Sequence, residues 1–572
     1  MARQLKVNLT SGDCSIEDLK AEWSDLGGRG LTSSIVADKV DPKTDAVGPG
    51  NVFVIAAGLL AGTSVPNGGR LSVGAKSPLT GGIKEANSGG VCARKLANLG
   101  LRAVAVEGSA AEPSVLVVNE QGAGLQPADD LWGLGTYATM ERLRIRFGDS
   151  VGIVCCGPAG EMQFANSAVI TNTPDFLPRS ASRGGLGAVM GSKKLKAIVI
   201  LDGDARKVEV ADAPAVKSAS LVLTAGIRGD QIMGYLKDSG TAMLITLADS
   251  LECLATKNFS TGQFPENYEI SGEKIAWLAE STRPSMVMKH HCMPGCIVYC
   301  SSIYTDDDGD YVTSGFEFES LALLGSNCMI SDLDRLAEMD YLCDDIGIDT
   351  IETGGAIAVA MEAGLIPWGD ADAAYDLIRG IQTGNEHSKL IARGVLATGK
   401  ALGVERIPVV KGQGISAWEP RVLKATGVTY STSPQGADHT CGNALPGMAY
   451  DPSIPQGQAK KSAAMQAYFA AIDTLGMCLF PALAVDAKIT LKKKLIEATG
   501  AILGKKLGPD YLQELGRRVL AVELDFNRRA GFTAEDDRLP DFFLNEPVSP
   551  SGNVFDVSRE DVLSVHSSLG KE

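Results

Sequence analysis

The sequence predicts an α+β protein in which an N-terminal β-rich platform domain is capped by two mostly α-helical domains. Two observations predict it. Six short β-like runs fall within the first two hundred residues: 5–9 (LKVNL), 51–57 (NVFVIAA), 102–108 (RAVAVEG), 114–120 (SVLVVNE), 151–156 (VGIVCC) and 196–201 (KAIVIL). Glycine clusters lie between them, as turns and functional loops require. After about residue 210 the apolar residues adopt a helical period, over roughly 212–224, 331–346, 350–365, 388–403, 461–476, 484–501 and 509–526. Asp202-Gly203-Asp204 closes the last β-like run and marks a boundary. The expected domains are therefore 1–207, 208–415 and 416–572. Ser331 and Asp332 are N-cap residues for the helix that follows them. Pro408 to Trp418 reads as a loop between two helical blocks. The segment from Arg538 to Ser551, with three prolines, reads as a surface strap rather than a folded unit. There is no repeat of constant period and no low-complexity tract.

Composition narrows the function. The 572 residues are 45% apolar and 21% charged, ordinary values for a globular chain and not for a disordered or fibrous one. The 53 basic and 69 acidic side chains leave a net charge of −16, a poor footprint for nucleic acid. The first residues, MARQLKVNLTSGDC, carry no apolar signal core. The most continuous apolar run, Val52 to Leu60, is far short of the roughly 20 residues of a membrane span. A cytoplasmic location is expected. Disulfides are then not expected among the 12 cysteines. Cys155 and Cys156 read as small buried apolar residues.

Three cysteines stand apart. The segment HHCMPGCIVYC places Cys292, Cys296 and Cys300 four residues apart in each case, with Pro294 and Gly295 favouring a turn that lets the thiols converge. Three thiolates so close suit an iron–sulfur cluster or a soft metal ion. Cys478 is a candidate fourth ligand. A zinc site completed by His290 or His291 is the alternative, although a second paired-cysteine unit is missing. Reduced core cysteines are the third reading.

Four polar glycine-rich loops lie in the first domain: 26–31 (LGGRGL), 67–81 (NGGRLSVGAKSPLTG), 85–90 (EANSGG) and 182–198 (SRGGLGAVMGSKKLKAI). Glycine lets main-chain N–H groups approach a phosphate, and arginine offers a fork to its oxygens. None has the strand–GxGxxG–helix or GxxxxGK[ST] pattern. Singly they read as hairpin turns; together they predict a large polyanionic cofactor. Two later segments share the form D-x-x-G-apolar-[D/C]: Asp344 to Asp349 and Asp473 to Cys478. Each follows a helical stretch. Their carboxylates can accept paired N–H bonds from a heterocycle edge, and a duplicated acceptor suits a cofactor present twice. A single such motif would read as a helix stop.

These pieces together resemble the tungsten-dependent aldehyde ferredoxin oxidoreductases, over essentially the whole chain and in family order. The resemblance implies tungsten, or molybdenum, held by two pyranopterin dithiolenes with no side chain on the metal, and a 4Fe-4S cluster nearby. It implies that the first domain is a platform under two pterins. Arg70, Asn87, Gly89, Arg183 and Gly184 would surround the pterin phosphates and a bridging Mg2+, whose ligands would be carbonyls near Asn87 and Gly184. Asp344, Gly347 and Asp349 would hold one pterin, and Asp473, Gly476 and Met477 the other. Cys292, Cys296, Cys300 and Cys478 would ligate the cluster. The better-known family pattern has two residues between the first two cysteines; this chain has three.

The resemblance also implies the reaction. An aldehyde is oxidised to a carboxylate with water as the oxygen source, and electrons leave through the cluster to ferredoxin or a small iron–sulfur subunit. In GFEFES, which carries Glu317 and Glu319, the family's active-site glutamate falls on Glu319, a general base. His439 in SPQGADHTCG matches the family histidine, a hydrogen-bond donor to the substrate oxygen. Without the resemblance Glu319 reads as a solvated helix-start residue, and His439 as a structural partner of Asp438. No flavin or nicotinamide motif is present. A homodimer or a hetero-oligomer is expected. The alternatives are a reductive use of the same cofactor, such as aromatic-ring reduction of a CoA thioester, and a non-catalytic iron–sulfur or zinc-bearing subunit.

Overall fold

A computed structural model describes residues 2–203, 208–444 and 451–567 of the chain. The α+β expectation holds. All six β-like runs are strands, within a residue or two. The boundary expected at 207/208 lies at the edge of 204–207, outside the described residues.

The first domain consists of two six-stranded sheets. One contains β1 (Arg3–Asn8), β2 (Asp13–Asp18), β3 (Phe53–Ala57), β4 (Leu71–Lys76), β5 (Ile83–Ser88) and β6 (Leu101–Glu107) in the order 2-1-6-3-4-5. The other contains β7 (Ser114–Asn119), β8 (Gly122–Pro127), β9 (Gly152–Cys156), β10 (Val169–Asn172), β11 (Pro178–Ala181) and β12 (Leu195–Ile200) in the order 8-7-12-9-10-11. The two orders are one plan used twice. In each sheet only the second and third strands of that order are parallel, β1 with β6 and β7 with β12, and every other pairing is antiparallel. Even the bulge is repeated: Arg102 in β6 and Lys196 in β12 are each skipped in the parallel ladder. The sequence shows no constant-period repeat because the duplication survives in topology and not in side chains. Its clearest trace is Leu101-Arg102-Ala103-Val104 against Leu195-Lys196-Ala197-Ile198.

The sheets pack face to face. Alternation along each strand sends Phe53, Ile55, Val104 and Val106 inward against Val154, Cys156, Ile198 and Ile200. The outer faces carry Val54 and Ala105 under the Gly28–Lys39 helix, and Ile153, Cys155 and Val199 under the Thr136–Phe147 helix. Cys155 and Cys156 are thus fully buried core residues, and burial raises each thiol to about 12.

Beyond residue 210 the chain is mostly helical. Asp332 caps the Leu333–Ile346 helix by accepting the Arg335 N–H at 3.0 Å. Two helical expectations need correction. The stretch 388–403 is two helices, Glu386–Ile391 and Val395–Leu402, parted at Gly394 with φ +93°. The stretch 484–501 straddles a junction between Leu479–Asp486 and Ile489–Leu503. Pro408 to Trp418 is a loop that holds one small hairpin, Val409–Val410 with Gln413–Gly414. The 538–551 segment is not a surface strap. It contains the Asp541–Asn545 helix, and Leu539, Phe543 and Val548 are buried in the main core of the helical region. Its prolines stop regular structure, but its apolar side chains have a core to enter.

The helical region meets the platform backbone to backbone. A methyl group on Gly58, just after β3, would lie 2.3 Å from Gly476 Cα; one on Gly157, just after β9, would lie 2.3 Å from the Ile346 carbonyl oxygen. These are equivalent positions of the two sheets, and each receives one of the two D-x-x-G turns. Among the described residues no helix is long and apolar enough to cross a membrane.

Both contacts are expected to be intolerant of a side chain. Gly58→Ala and Gly157→Ala should each cost about 1–3 kcal/mol or more, as overpacking does. Gly124→Ala, with open space around the new methyl, should leave the melting temperature within error. Thermal melts of the three variants check this.

Candidate functional site

Where the helical domains cover the platform they enclose a cavity of about 300 Å³. The two D-x-x-G segments reach it in the same way. Asp344 is in the last turn of the Leu333–Ile346 helix, and Gly347 (φ +74°) ends that helix. Asp473 is in the last turn of the Gln458–Leu475 helix, and Gly476 (φ +75°) ends it. Only glycine takes this left-handed cap without strain. The sixth residue starts the next helix: Asp349 caps Thr350–Glu362 by accepting the Ile351 N–H at 3.1 Å, and Cys478 holds the same position before Leu479–Asp486. The helix-stop reading and the functional reading are therefore both met by the same turn.

Asp344 and Asp473 line the cavity. Burial pushes Asp473 up to about 6, while Arg29 and Arg70 pull it down. Burial also pushes Asp344 well above its ordinary value, and the neighbouring Asp340 adds to that shift. Asp473 pairs with Arg29 at 3.4 Å and accepts from the Asn87 amide at 3.3 Å. Arg70 binds Asn87 through both its side-chain and main-chain oxygens, the latter at 2.8 Å. Gly89 abuts the cysteine segment, where a methyl would come within 2.9 Å of Cys292 Sγ.

Arg183 and Gly184 occupy, after β11, the place that Gly89 and its neighbours occupy after β5. Arg183 lies 3.2 Å from Asp349 and 3.4 Å from Glu352, and donates to the Gly414 carbonyl at 2.6 Å. The Gly184 carbonyl accepts from Ser77 Oγ at 2.6 Å.

The four cysteines converge. Cys292, Cys300 and Cys478 line the cavity, and Cys296 is buried behind them. Asn67 joins their two segments: its amide donates to Cys296 Sγ at 3.4 Å and its carbonyl accepts the Cys478 N–H at 2.9 Å. Burial raises all four thiols, and charge on neighbouring thiols raises each further. Arg70 opposes the rise at Cys292 and Cys478, and Arg179 opposes it at Cys292. Among the described residues no group of three or more His, Cys, Asp or Glu side chains is arranged to hold a metal ion. A zinc ion would draw its sulfurs to about 3.8 Å of each other, given 2.3 Å bonds. Of the two histidines of the zinc alternative, His290 pairs with Asp175 through Nε2 at 2.7 Å and has no hydrogen-bond partner at Nδ1, and His291 lies edge-on to Tyr299.

Glu319 and His439 form the remaining wall. Glu319 is not a solvated helix-start residue. It is mostly buried, about 13% exposed, in the short Phe318–Ser320 helix at the cavity wall, directly before a π-helical turn at Leu321–Gly325. Its Oε2 accepts the Ala417 N–H at 2.8 Å, and its Oε1 makes no hydrogen bond. His439 Nε2 lies 3.5 Å from that free oxygen, and His439 Nδ1 lies 3.8 Å from Asp438. Burial raises the Glu319 carboxyl, and His439, the Ala417 N–H and Arg183 oppose the rise. Asp438 stays well below its ordinary value: burial works against its charge, but Lys84 at 2.8 Å, with Arg183 and His439, outweighs burial.

The cavity wall thus gathers Arg70, Asn87, Gly89, Cys292, Cys300, Glu319, Asp344, His439, Asp473 and Cys478. Arg183, Gly184, Gly347, Asp349, Gly476, Met477 and Cys296 stand behind it, and Met477 is a fully buried core residue. Sequence reasoning missed three contributors. Arg179, four residues before Arg183, faces the cavity and is tied to Ser314; a basic residue upstream of a glycine loop was its signal. Asp340 lies one helical turn before Asp344. The buried pair of Arg29 with Glu523, at 2.8 Å, joins residues almost five hundred positions apart and left no local signal.

Comparison with known proteins agrees with this architecture. The family profile described as "Aldehyde ferredoxin oxidoreductase, N-terminal domain" matches residues 4–202, and that described as "Aldehyde ferredoxin oxidoreductase, domains 2 & 3" matches 223–565. A tungsten-containing aldehyde ferredoxin oxidoreductase of Pyrococcus furiosus is 32% identical over 96% of this chain and 92% of its own length. The "Aliphatic sulfonate oxidoreductase, WOR-like subunit" of the same organism is 25% identical over 92% of this chain and 86% of its own. Among solved structures, a chain of the BamBC active-site complex of benzoyl coenzyme A reductase superposes with a TM-score of 0.81 at 18% identity, covering 100% of this chain and 94% of that one. That last likeness is one of fold.

If the four thiols hold a cluster, Cys292→Ser, Cys296→Ser, Cys300→Ser and Cys478→Ser should each lower iron from about four atoms per chain. Cys14→Ser, at a half-exposed thiol remote from the cavity, should not. Iron analysis and the visible absorption of anaerobically purified protein check this.

Proposed function

This chain belongs to the aldehyde ferredoxin oxidoreductase family, and we propose that it oxidises aldehydes to carboxylates with water as the oxygen source. Its tungsten pterin cofactor, expected for the family, would be a bis-pyranopterin, with molybdenum as the chemical near-equivalent. The observation that carries the reading is the free oxygen of Glu319, buried and 3.5 Å from His439 in a cavity walled by both D-x-x-G carboxylates and by cysteine thiols.

The residues fit such a group. Asp344 and Asp473 are buried acceptors open to the cavity. Arg70, Asn87 and Gly89 on one half of the platform, and Arg183 and Gly184 on the other, would receive the pterin phosphates. The Asn87 and Gly184 carbonyls each accept one hydrogen bond and keep a second lone pair for Mg2+. Gly347 with Asp349, and Gly476 with Met477, would shape the two pterin turns from behind. Cys292, Cys296, Cys300 and Cys478 would hold a 4Fe-4S cluster.

When bound, the cofactor supplies two-electron exchange with the substrate carbon, and the cluster hands electrons on singly to ferredoxin or a small iron–sulfur subunit. The protein's own part is positioning and proton handling. The Ala417 N–H pins Glu319 Oε2 and leaves Oε1 to take a proton from water or the aldehyde hydrate. Burial strengthens that base. His439, beside it, is placed to donate a hydrogen bond to the substrate oxygen as negative charge develops there. Asp438, ionised and anchored on Lys84, places negative charge 3.8 Å from the other ring nitrogen.

Glu319→Gln should lower kcat/KM for aldehydes by about 10²–10⁴-fold with metal content unchanged. In the wild type, kcat/KM should rise with pH through the Glu319 titration, which burial places above the usual carboxylate range; the variant should lack that limb. The holoenzyme should carry about one tungsten or molybdenum per chain. Reduction of an aryl CoA thioester without any aldehyde oxidation would replace this reading with the reductive one.

A further inference from the structure

Arg29, Lys84 and Arg183 are buried cations that each meet a carboxylate, on Glu523, Asp438 and Asp349 in turn. Arg179, on the cavity wall, meets none. Its Nη1 donates to the Pro178 carbonyl at 2.6 Å, the Ser314 carbonyl at 3.2 Å and Ser314 Oγ at 3.1 Å, and its Nη2 donates to Ser301 Oγ. Its Nε is buried and has no hydrogen-bond partner. Among the described residues its bonds thus end on neutral oxygens. A charge drawn out of water without an opposite charge is costly, so a guanidinium fixed in this way is set for an anionic partner.

The place of that partner follows from what holds the arginine. Gly315 (φ +70°) makes room for it: a methyl group there would lie 2.8 Å from Arg179 Cζ. Ser301 is the residue after Cys300. Thr171, opposite Arg179 in the β10–β11 ladder, donates to the Gly89 carbonyl at 3.2 Å, and Gly89 is the glycine that abuts Cys292 Sγ. Arg179 is thereby tied to the neighbours of two of the four cysteines. Burial raises the Cys292 thiol and the carboxyls of Glu317, Asp340 and Asp344, and Arg179 opposes the rise at all four. The three carboxylates share the cavity wall with it, yet none forms an ion pair with it. Arg70, which also faces the thiols, is bound to Asn87 in the loop assigned above to a pterin phosphate.

Four thiolates outweigh the positive charge of the iron–sulfur core they would hold, so such a site is anionic before an electron enters and more so afterwards. A fixed cation beside it stabilises the reduced state more than the oxidised one, and weak screening inside the protein extends its reach. A guanidinium keeps its charge at any working pH. We propose that Arg179 is the fixed counter-charge of the cluster site and raises the reduction potential of the cluster, favouring electron entry from the cavity. The inference rests on the cluster reading of the four cysteines and not on aldehydes as substrates. One electron enters the cluster and the same electron leaves to the iron–sulfur acceptor; Arg179 makes and breaks no bond and acts through its charge alone.

The test uses anaerobically purified holoenzyme, metal analysis, and a potentiometric titration of the cluster followed by electron paramagnetic resonance, none of which needs turnover. Arg179→Gln keeps amide donors for the serines and removes the charge. It should lower the potential by at least about 59 mV, a tenfold loss in the ratio of reduced to oxidised cluster at fixed potential. Arg179→Lys, which keeps the charge, should retain most of the wild-type value. Iron and tungsten or molybdenum should stay at wild-type levels in both. If Arg179→Gln does not fold, Arg179→Met supplies the neutral side chain. Ser301→Ala, which frees the guanidinium on one side, should shift the potential the same way by less, and carries the test if neither neutral variant folds. A potential unmoved in the variant so tested overturns the proposal, and so does a shift in Arg179→Lys as large as that in Arg179→Gln. Loss of tungsten or molybdenum with the cluster potential retained makes Arg179 a cofactor ligand and also overturns it. Wild-type protein without iron overturns the cluster reading beneath the proposal. A shifted potential in an enzyme that oxidises no aldehyde leaves Arg179 in its role and overturns the activity reading alone.

Discussion

Two glycine-on-backbone contacts set the geometry on which everything else in this molecule depends. A helix ends at Gly347 and lands on Gly157; another ends at Gly476 and lands on Gly58. Because neither landing has room for a side chain, each turn sits at main-chain distance from the platform. Main-chain hydrogen bonds then fix it, Ala168 N–H to the Gly347 carbonyl at 2.8 Å and Arg70 N–H to the Gly476 carbonyl at 3.1 Å. The last carboxylate of each helix and the first residue of the next are thereby held over the cavity to within the tolerance of a backbone. A helix packed through side chains alone would be free to adjust; these are not.

The site also concentrates charge where water is scarce. Arg29, Lys84 and Arg183 are buried, and each meets a buried carboxylate: Glu523, Asp438 and Asp349 or Glu352. Buried ion pairs of this kind contribute little net stability, since desolvation offsets their attraction. Their value is positional. They leave Glu319 as a carboxylate whose outward oxygen has no hydrogen-bond partner, next to a histidine that lies 3.8 Å from a firmly ionised Asp438. The proposed base is thus kept reactive by what its neighbours already bind.

Much of this was legible in the sequence, and what was not has a physical reason. Alternation and period gave the β-rich first domain and the helical remainder. The cysteine spacing, the two D-x-x-G segments and the glycine loops carry local rules, because a cap or a tight turn must be written within a few residues. The two helices run together as 388–403 were misread because their apolar period continues across Gly394, where φ is +93°. The 538–551 segment was misread because prolines signal the loss of regular structure but say nothing of burial. The duplicated platform left almost no sequence trace, since a strand requires only alternation and tolerates wholesale replacement of side chains. Arg179, the Arg29–Glu523 pair and the Phe318–Trp418 ring contact depend on segments that meet only in the folded chain.

The platform, finally, is one plan used twice beneath a cover that is not. Loops after β5 and β11, and glycines after β3 and β9, offer the same grip on either side, yet the segments that come down on them differ. The cysteine segment and Cys478 settle on the half built from β1–β6, while Asp349 and Glu352 meet Arg183 of the other. Division of labour is thus written in the cover alone. Such a floor is a chassis: its cover can be re-cut for another reaction without disturbing the load-carrying contacts beneath. The chain of the BamBC complex shares this fold at 18% identity.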